Sequence, residues 1–197
     1  MLGVILAFRE RGIGYLTPLD DEPMVSLVER RLGQAKRIGD VLTVVPSGKV
    51  KRYSLHVGNP IGVRAKNEVE ALLNALPRSG EVFLVRGNMP LLMPFLVNYL
   101  STLFLESDAE ALIPRWANGS LEVTHAFYEV EALRATLDAC LAEGESRISC
   151  IPHHLDYEPV SIEELSARNP KVTLSFFKVR TPFDLRFAEK NLENGGV

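Results

Sequence analysis

The sequence predicts a three-layer α/β/α sandwich built on a mostly parallel central sheet, and three observations predict it. Short, wholly apolar runs read as strands covered on both faces. Longer segments with apolar residues at helical spacing lie between them, and that alternation implies parallel βαβ units. At 197 residues, 46% hydrophobic and 24% charged, the chain is long enough to bury a core without a disulfide or metal staple. No internal repeat, low-complexity tract or long linker divides it, so residues 1–197 are expected to form a single domain.

Residues 2–7 (LGVILA) form the first apolar run, and a charged turn with Gly12 and Gly14 follows it. Residues 23–32 (PMVSLVERRL) place Met24, Val25, Leu27, Val28 and Leu32 at helical spacing, with Gly33 fitting the end. A second strand is expected over residues 40–45 (DVLTVV), closed by Pro46, Ser47 and Gly48. Residues 68–76 put Val69, Leu72, Leu73 and Leu76 on one helical face, and a breaker at 77–80 leads into the clearest strand, 81–85 (EVFLV). Helical spacing resumes over 94–104; a strand is expected over 109–114 and a helix over 129–142. Residues 171–179 (KVTLSFFKV) read as a final strand and 183–192 as a terminal helix.

The composition excludes several classes of function. A net charge of -3 argues against a broad nucleic-acid surface, although one loop can still hold a phosphate. The N-terminal apolar run has no basic region before it and meets Arg9, Glu10 and Arg11 at once, so it is too short for a signal peptide or a membrane span. Cys140 and Cys150 are the only cysteines and show no closely spaced disulfide framework, which points to a reducing cytoplasm.

In open α/β sheets, ligands sit beyond the carboxyl ends of the strands. That rule singles out two turns: residues 8–17 after the first strand, and residues 86–90 (RGNMP) after the clearest one. The first carries arginines and glycines suited to phosphate, but it matches neither GxGxxG nor GxxxxGK[ST], and a solvated turn relaxed by Gly12 and Gly14 explains it equally. In the second, Asn88 offers a neutral oxygen where an Asp would be a natural Mg²⁺ ligand, or else caps a helix beginning near Pro90. Cys150, His153 and His154 have metal-like spacing, yet zinc would need Cys140, His125 or Asp156 from afar. No GxSxG elbow supports Ser/His/Asp catalysis. Trp116 beside Arg115 either stacks a purine or pterin ring or serves as a partly buried anchor.

Taken in order, LGVILA, the Arg/Gly turn, a helix, GNPIG, VFLVRGNMPLL, IPRWANGSLEVTHAFY and FKVRTPFDLRFAE resemble the molybdopterin-guanine dinucleotide biosynthesis protein A family, the molybdenum cofactor guanylyltransferases. GNMPLL resembles that family's GDMPLL and VRTPFDL its VNTPEDL; Met89, Pro90, Thr181, Pro182, Asp184 and Leu185 stand where the pattern has them. The segment with Pro114, Gly119, His125 and Tyr128 resembles the family's substrate-side loop. The resemblance covers nearly the whole chain. It implies a Rossmann-like nucleotidyltransferase fold of the nucleotide-diphospho-sugar transferase type, with Mg²⁺-dependent transfer of GMP from GTP to molybdopterin.

The departures from the pattern are specific. Leu6 and Ala7 match the family's LAGG, whereas Phe8 and Arg9 replace its two glycines. Arg11 and Gly14 are counterparts of the following Arg and Gly, and Tyr15 and Leu16 stand where a Lys is expected. Asn88 replaces the metal-binding Asp, and Lys178 and Arg180 replace the two Asn of a late NxN pair. The resemblance therefore implies Arg11 and Asn88 as catalytic groups, with Asn88 also holding Mg²⁺. It implies Leu6, Ala7, Phe8, Arg9, Gly14 and Gly62 around the nucleotide, and Lys178 and Arg180 toward the acceptor. Phe8 puts a bulky side chain where backbone must approach phosphate closely, while Arg9, Arg11, Lys178 and Arg180 offer side-chain charge in compensation. Two other readings stay open: a catalytically impaired paralogue that binds a nucleotide, cofactor or protein, and a transferase for another phosphorylated acceptor.

Overall fold

A computed structural model describes residues 1–10 and 12–193. Strand β1 (Leu2–Leu6) is followed by the small hairpin β2 (Pro18–Leu19) and β3 (Glu22–Pro23), then helix α1 (Met24–Gly33) and β4 (Asp40–Pro46). Next come α2 (Val50–Tyr53), β5 (Pro60–Val63), α3 (Glu68–Ala75), β6 (Glu81–Arg86), α4 (Pro94–Glu106) and β7 (Ala111–Arg115). The chain continues through β8 (His125–Glu129), α5 (Val130–Ala142), a 3-10 helix (Ile148–His153), β9 (Tyr157–Ser161), α6 (Ile162–Arg168), a second such helix (Pro170–Phe176) and α7 (Pro182–Glu193).

The main sheet has the order β5-β4-β1-β6-β8-β7-β9. Every ladder in it is parallel except the two made by β8, which runs antiparallel to β6 and β7. Strand periodicity divides the core into two layers. Ile5, Val45, Phe83, Val85 and Phe127 face one side, where α1 and α4 deliver Val28, Leu32, Leu96 and Leu100. Val4, Leu6, Val44, Leu84 and Tyr128 face the other, where α3 and α5 deliver Val69, Leu72, Leu133 and Leu137. The expected sandwich is therefore the observed one. A third cluster of Leu19, Met24, Leu27, Leu91, Val179 and Ala188 seats α7.

Two expectations fail for physical reasons. Residues 171–179 are not a strand: Val172 and Phe176 are buried four residues apart and Asn169 Oδ1 accepts from Lys171 N (3.1 Å), so Pro170–Phe176 winds as a 3-10 helix. Its β-branched and aromatic residues suited a strand, but β9 already forms that edge of the sheet. Nor are the cysteines unpaired. Cys140, in the last turn of α5, is bonded to Cys150, with Cα atoms 6.2 Å apart. The turn between them, with Gly144 at φ +78°, brings back a chain segment that the ten-residue spacing does not advertise. That bond also removes Cys150 from any zinc-ligand set. No described helix is long and apolar enough to cross a membrane.

Candidate active site

The carboxyl ends of β1 and β6 open into a cavity of about 410 Å³. Arg9 and Tyr15 from the first turn, Glu68 from the start of α3, Arg86 at the end of β6 and Asn88 just after it form one part of its lining. Val123 and Thr124 before β8, Arg147 just ahead of the 3-10 helix Ile148–His153, Ile148 and Ser149 on it, and Lys178 and Arg180 after Pro170–Phe176 complete it. Five of these side chains are cationic and only Glu68 is acidic, so an acidic chain gathers positive charge at one place.

The charges differ in what they already hold. Arg86 makes a bidentate pair with Glu68, Nη1 to Oε1 and Nη2 to Oε2, both at 2.8 Å. Glu68 is 1% exposed. Burial opposes the Arg86 charge, but the Glu68 carboxylate outweighs it and raises the guanidinium's pKa. Tyr15 lies beside this pair, its hydroxyl donating to Arg9 O (2.8 Å); burial raises its pKa, and Arg86 only partly opposes that. Lys178 is paired with Glu122, which also accepts from Trp116 Nε1 (3.0 Å). By contrast, the guanidinium groups of Arg9, Arg147 and Arg180 make no hydrogen bond or ion pair among the described residues.

Backbone pairing joins the site's segments. Asn88 Nδ2 donates to Val179 O (2.8 Å) and Val179 N donates to Asn88 O (2.9 Å). Ile13 N donates to Arg180 O (3.3 Å), so the same strip of chain is tied to the first turn. Gly12 is essential to that contact: its φ is +77°, and a Cβ there would lie 2.2 Å from Arg180 O. Behind the cavity, His125 is fully buried between the rings of Phe83 and Phe176, with Nδ1 unpartnered. Burial, aided by nearby Lys178, pushes its pKa down to about 3 and keeps it neutral.

Of the residues expected from sequence, Arg9, Asn88, Lys178 and Arg180 line one cavity. Arg11 lies outside the described residues. Leu6 and Ala7 are buried beneath the turn, and half-buried Phe8 packs into the core layer shared with α3 and α5. Gly14 does not line the cavity and has open room beside the Glu10 carboxylate. Gly62 sits in β5, where a Cβ would come 2.3 Å from Val50 Cγ2, so its smallness serves packing of the strand on the first residue of α2. Asn88 does not cap a helix: α4 starts at Pro94 with Met93 as its N-cap residue. Trp116 is an anchor, edge-on to Phe176 and tied to Glu122. The VRTPFDL motif proves to be a helix start, with Asp184 Oδ2 accepting from Thr181 N (2.9 Å) and Asp184 N donating to Thr181 Oγ1 (3.2 Å). Sequence reasoning missed Glu68, Thr124, Arg147 and Ser149. Arg86 lay within a turn already singled out.

The donor set does not fit a protein-held Mg²⁺. Asn88 lines the cavity and its buried Oδ1 has no hydrogen-bond partner among the described residues, but it is a single neutral oxygen. The one lining carboxylate is committed to Arg86, and Mg²⁺ sites ordinarily use one or two carboxylates besides phosphate and water.

Residues 14–156 match the family model described as the MobA-like NTP transferase domain. The chain belongs to the MobA-like NTP transferase family. A protein named "Probable molybdenum cofactor guanylyltransferase" from Thermococcus gammatolerans is 29% identical to this MobA-like chain over 194 residues, covering 94% of it and 97% of the relative. Its namesake from Thermococcus kodakarensis is 29% identical over 192 residues, covering 94% and 92%. The crystal structure of molybdopterin-guanine dinucleotide biosynthesis protein A from Archaeoglobus fulgidus matches with a TM-score of 0.81 at 20% identity, covering 98% of this chain and all of that one. The MobA-like fold is thus shared along nearly the whole chain.

Proposed function

We propose that this single-domain protein is a cytoplasmic nucleotidyltransferase of molybdenum cofactor biosynthesis, transferring GMP from GTP to molybdopterin. The observation that carries this reading is the cavity at the ends of β1 and β6, with unpaired guanidinium groups from separate segments, in a member of a nucleotidyltransferase family. The names of the curated relatives supply the substrates. The compartment rests on those substrates, since a Cys140–Cys150 bond is unusual in a reducing cytoplasm.

In the proposed reaction, a phosphate oxygen of the acceptor attacks the α-phosphorus of GTP. The bond from that phosphorus to the bridging oxygen breaks, and pyrophosphate leaves. Such a step depends on positioning and charge neutralisation rather than a covalent intermediate. Arg9 supplies charge on the nucleotide side, and Lys178 and Arg180 supply it on the acceptor side. Arg86 acts indirectly: its pair with Glu68 fixes the wall beside Tyr15.

Incubation with GTP, Mg²⁺ and molybdopterin tests the proposal by following pyrophosphate, with metal omitted in a parallel arm. Release that requires both substrates is expected; none above background removes the reading. A second reading, nucleotide binding without transfer, is favoured by Asn88, whose amide is committed to Val179 where the family has a carboxylate. Its signature is stabilisation by GTP in a thermal-shift panel with CTP, UTP and ATP, without pyrophosphate release. A ligand at 100 times its Kd adds about 2.7 kcal/mol.

A further inference from the structure

We infer that Arg147 and Ser149 form a phosphomonoester subsite for the second substrate, presented by the turn that the Cys140–Cys150 disulfide fastens to α5. The assignment to the second substrate rests on the transferase reading above; the phosphate chemistry of the subsite does not. Residues 147–151 alternate at their start, with Arg147 and Ser149 exposed while Ile148 and Cys150 are buried. Both residues line the cavity. Ile148, Cys150 and Ile151 pack into the core layer of α5, and the bond to Cys140 fixes the same segment covalently. Thr136 Oγ1 of α5 donates to His154 O (3.1 Å) at the far end of the segment.

A polar pair held this firmly is preorganised. The Arg147 guanidinium has no partner among the described residues, so its fork is free for two oxygens of a phosphate, and the Ser149 hydroxyl can donate to a third. Strand order assigns the occupant. The first turn follows β1 and Asn88 follows β6, whereas Thr124 immediately precedes β8 and the Arg147 segment packs on α5, the helix that follows β8. A nucleotide gripped by the first turn therefore leaves Arg147 for the phosphate of the acceptor.

The test uses inorganic phosphate as a probe and then the substrates. Calorimetric titration of phosphate at low salt compares wild type with R147A, R147K, S149A and R78A, the last removing an exposed arginine outside the cavity. R147A is expected to weaken phosphate binding about tenfold or more, as loss of a charge-assisted hydrogen bond implies. S149A has a smaller effect, R147K recovers part of the loss and R78A changes nothing. In turnover assays, R147A raises the KM for molybdopterin by a similar factor and leaves the KM for GTP unchanged. Unaltered phosphate affinity in folded R147A, or weakening equal to that of R78A, overturns the subsite. A rise in the KM for GTP alone overturns its assignment to the acceptor. Absence of any wild-type turnover defeats the transferase reading, while the phosphate titration still decides the subsite.

Discussion

The inner wall and the outer rim of the cavity are both rich in charge, yet they use it differently. On the wall, Arg86 is saturated by Glu68, Lys178 is paired with Glu122, and the Asn88 amide is held by Val179. On the rim, Arg9, Arg147 and Arg180 carry guanidinium groups without partners among the described residues. Buried charge must be paired where it stands, because desolvation is costly. Rim charge remains hydrated and stays available to a ligand. The contrast separates groups whose charge is already compensated within the protein from groups whose charge is left to solvent.

The strongest way to break the contrast is to unpair the wall. Glu68→Ala leaves Arg86 without its bidentate partner and should cost about 3–5 kcal/mol, measured as a fall in the urea midpoint. A loss below about 1 kcal/mol would place Glu68 with the weak surface pairs instead. A second test titrates the apolar backing of the wall. His125 is neutral when folded, with its pKa near 3, but takes up a proton near pH 6.5 when unfolded. The unfolded state therefore binds more protons below about 6.5, and stability falls as pH drops from there toward 3, at up to about 1.4 kcal/mol per pH unit. His125→Phe, between two aromatic rings, should flatten that acid limb in pH-dependent denaturation; an unchanged limb assigns it to other groups.

Asn88→Asp sharpens the comparison at the wall's one unpartnered oxygen. It removes the donor to Val179 O and costs about 1–3 kcal/mol, read as a lower Tm in chelator. The new carboxylate supplies what a divalent cation lacks, so Mg²⁺ or Mn²⁺ should restore Tm in the variant and not in wild type. No metal-dependent recovery would show that the wall is not a latent metal site. The smallest stability effect belongs to the rim. Arg9→Ala should change stability by less than about 0.5 kcal/mol while weakening GTP about tenfold by calorimetry. A large stability loss would instead make Arg9 part of the wall.

Much of the fold was legible because strand and helix periods differ. The runs at β1, β4 and β6 and the faces of α1, α3 and α5 carry their burial pattern in their spacing. β8 and β9 were not legible: HAFYE runs straight into a helix, and YEPVS has exposed residues on an edge. At the site, Arg9, Asn88, Lys178 and Arg180 followed from turn position and family pattern. Glu68 was hidden inside a helical stripe, and Arg147 in a polar loop with no motif. Their proximity comes from tertiary folding alone. Gly12, not Gly14, proved to be the glycine on which the first turn depends, a distinction set by a carbonyl contributed from residue 180.

The disulfide has a consequence in time as well as in space. Cys140 is fully buried and Cys150 is 6% exposed, so an attacking thiolate reaches the bond only when the turn leading to Arg147 opens. An anion held at the proposed Arg147 subsite would stabilise the closed turn and so slow reduction. By linkage, an anion that binds the oxidised protein more tightly than the reduced one favours the oxidised bond by the same factor.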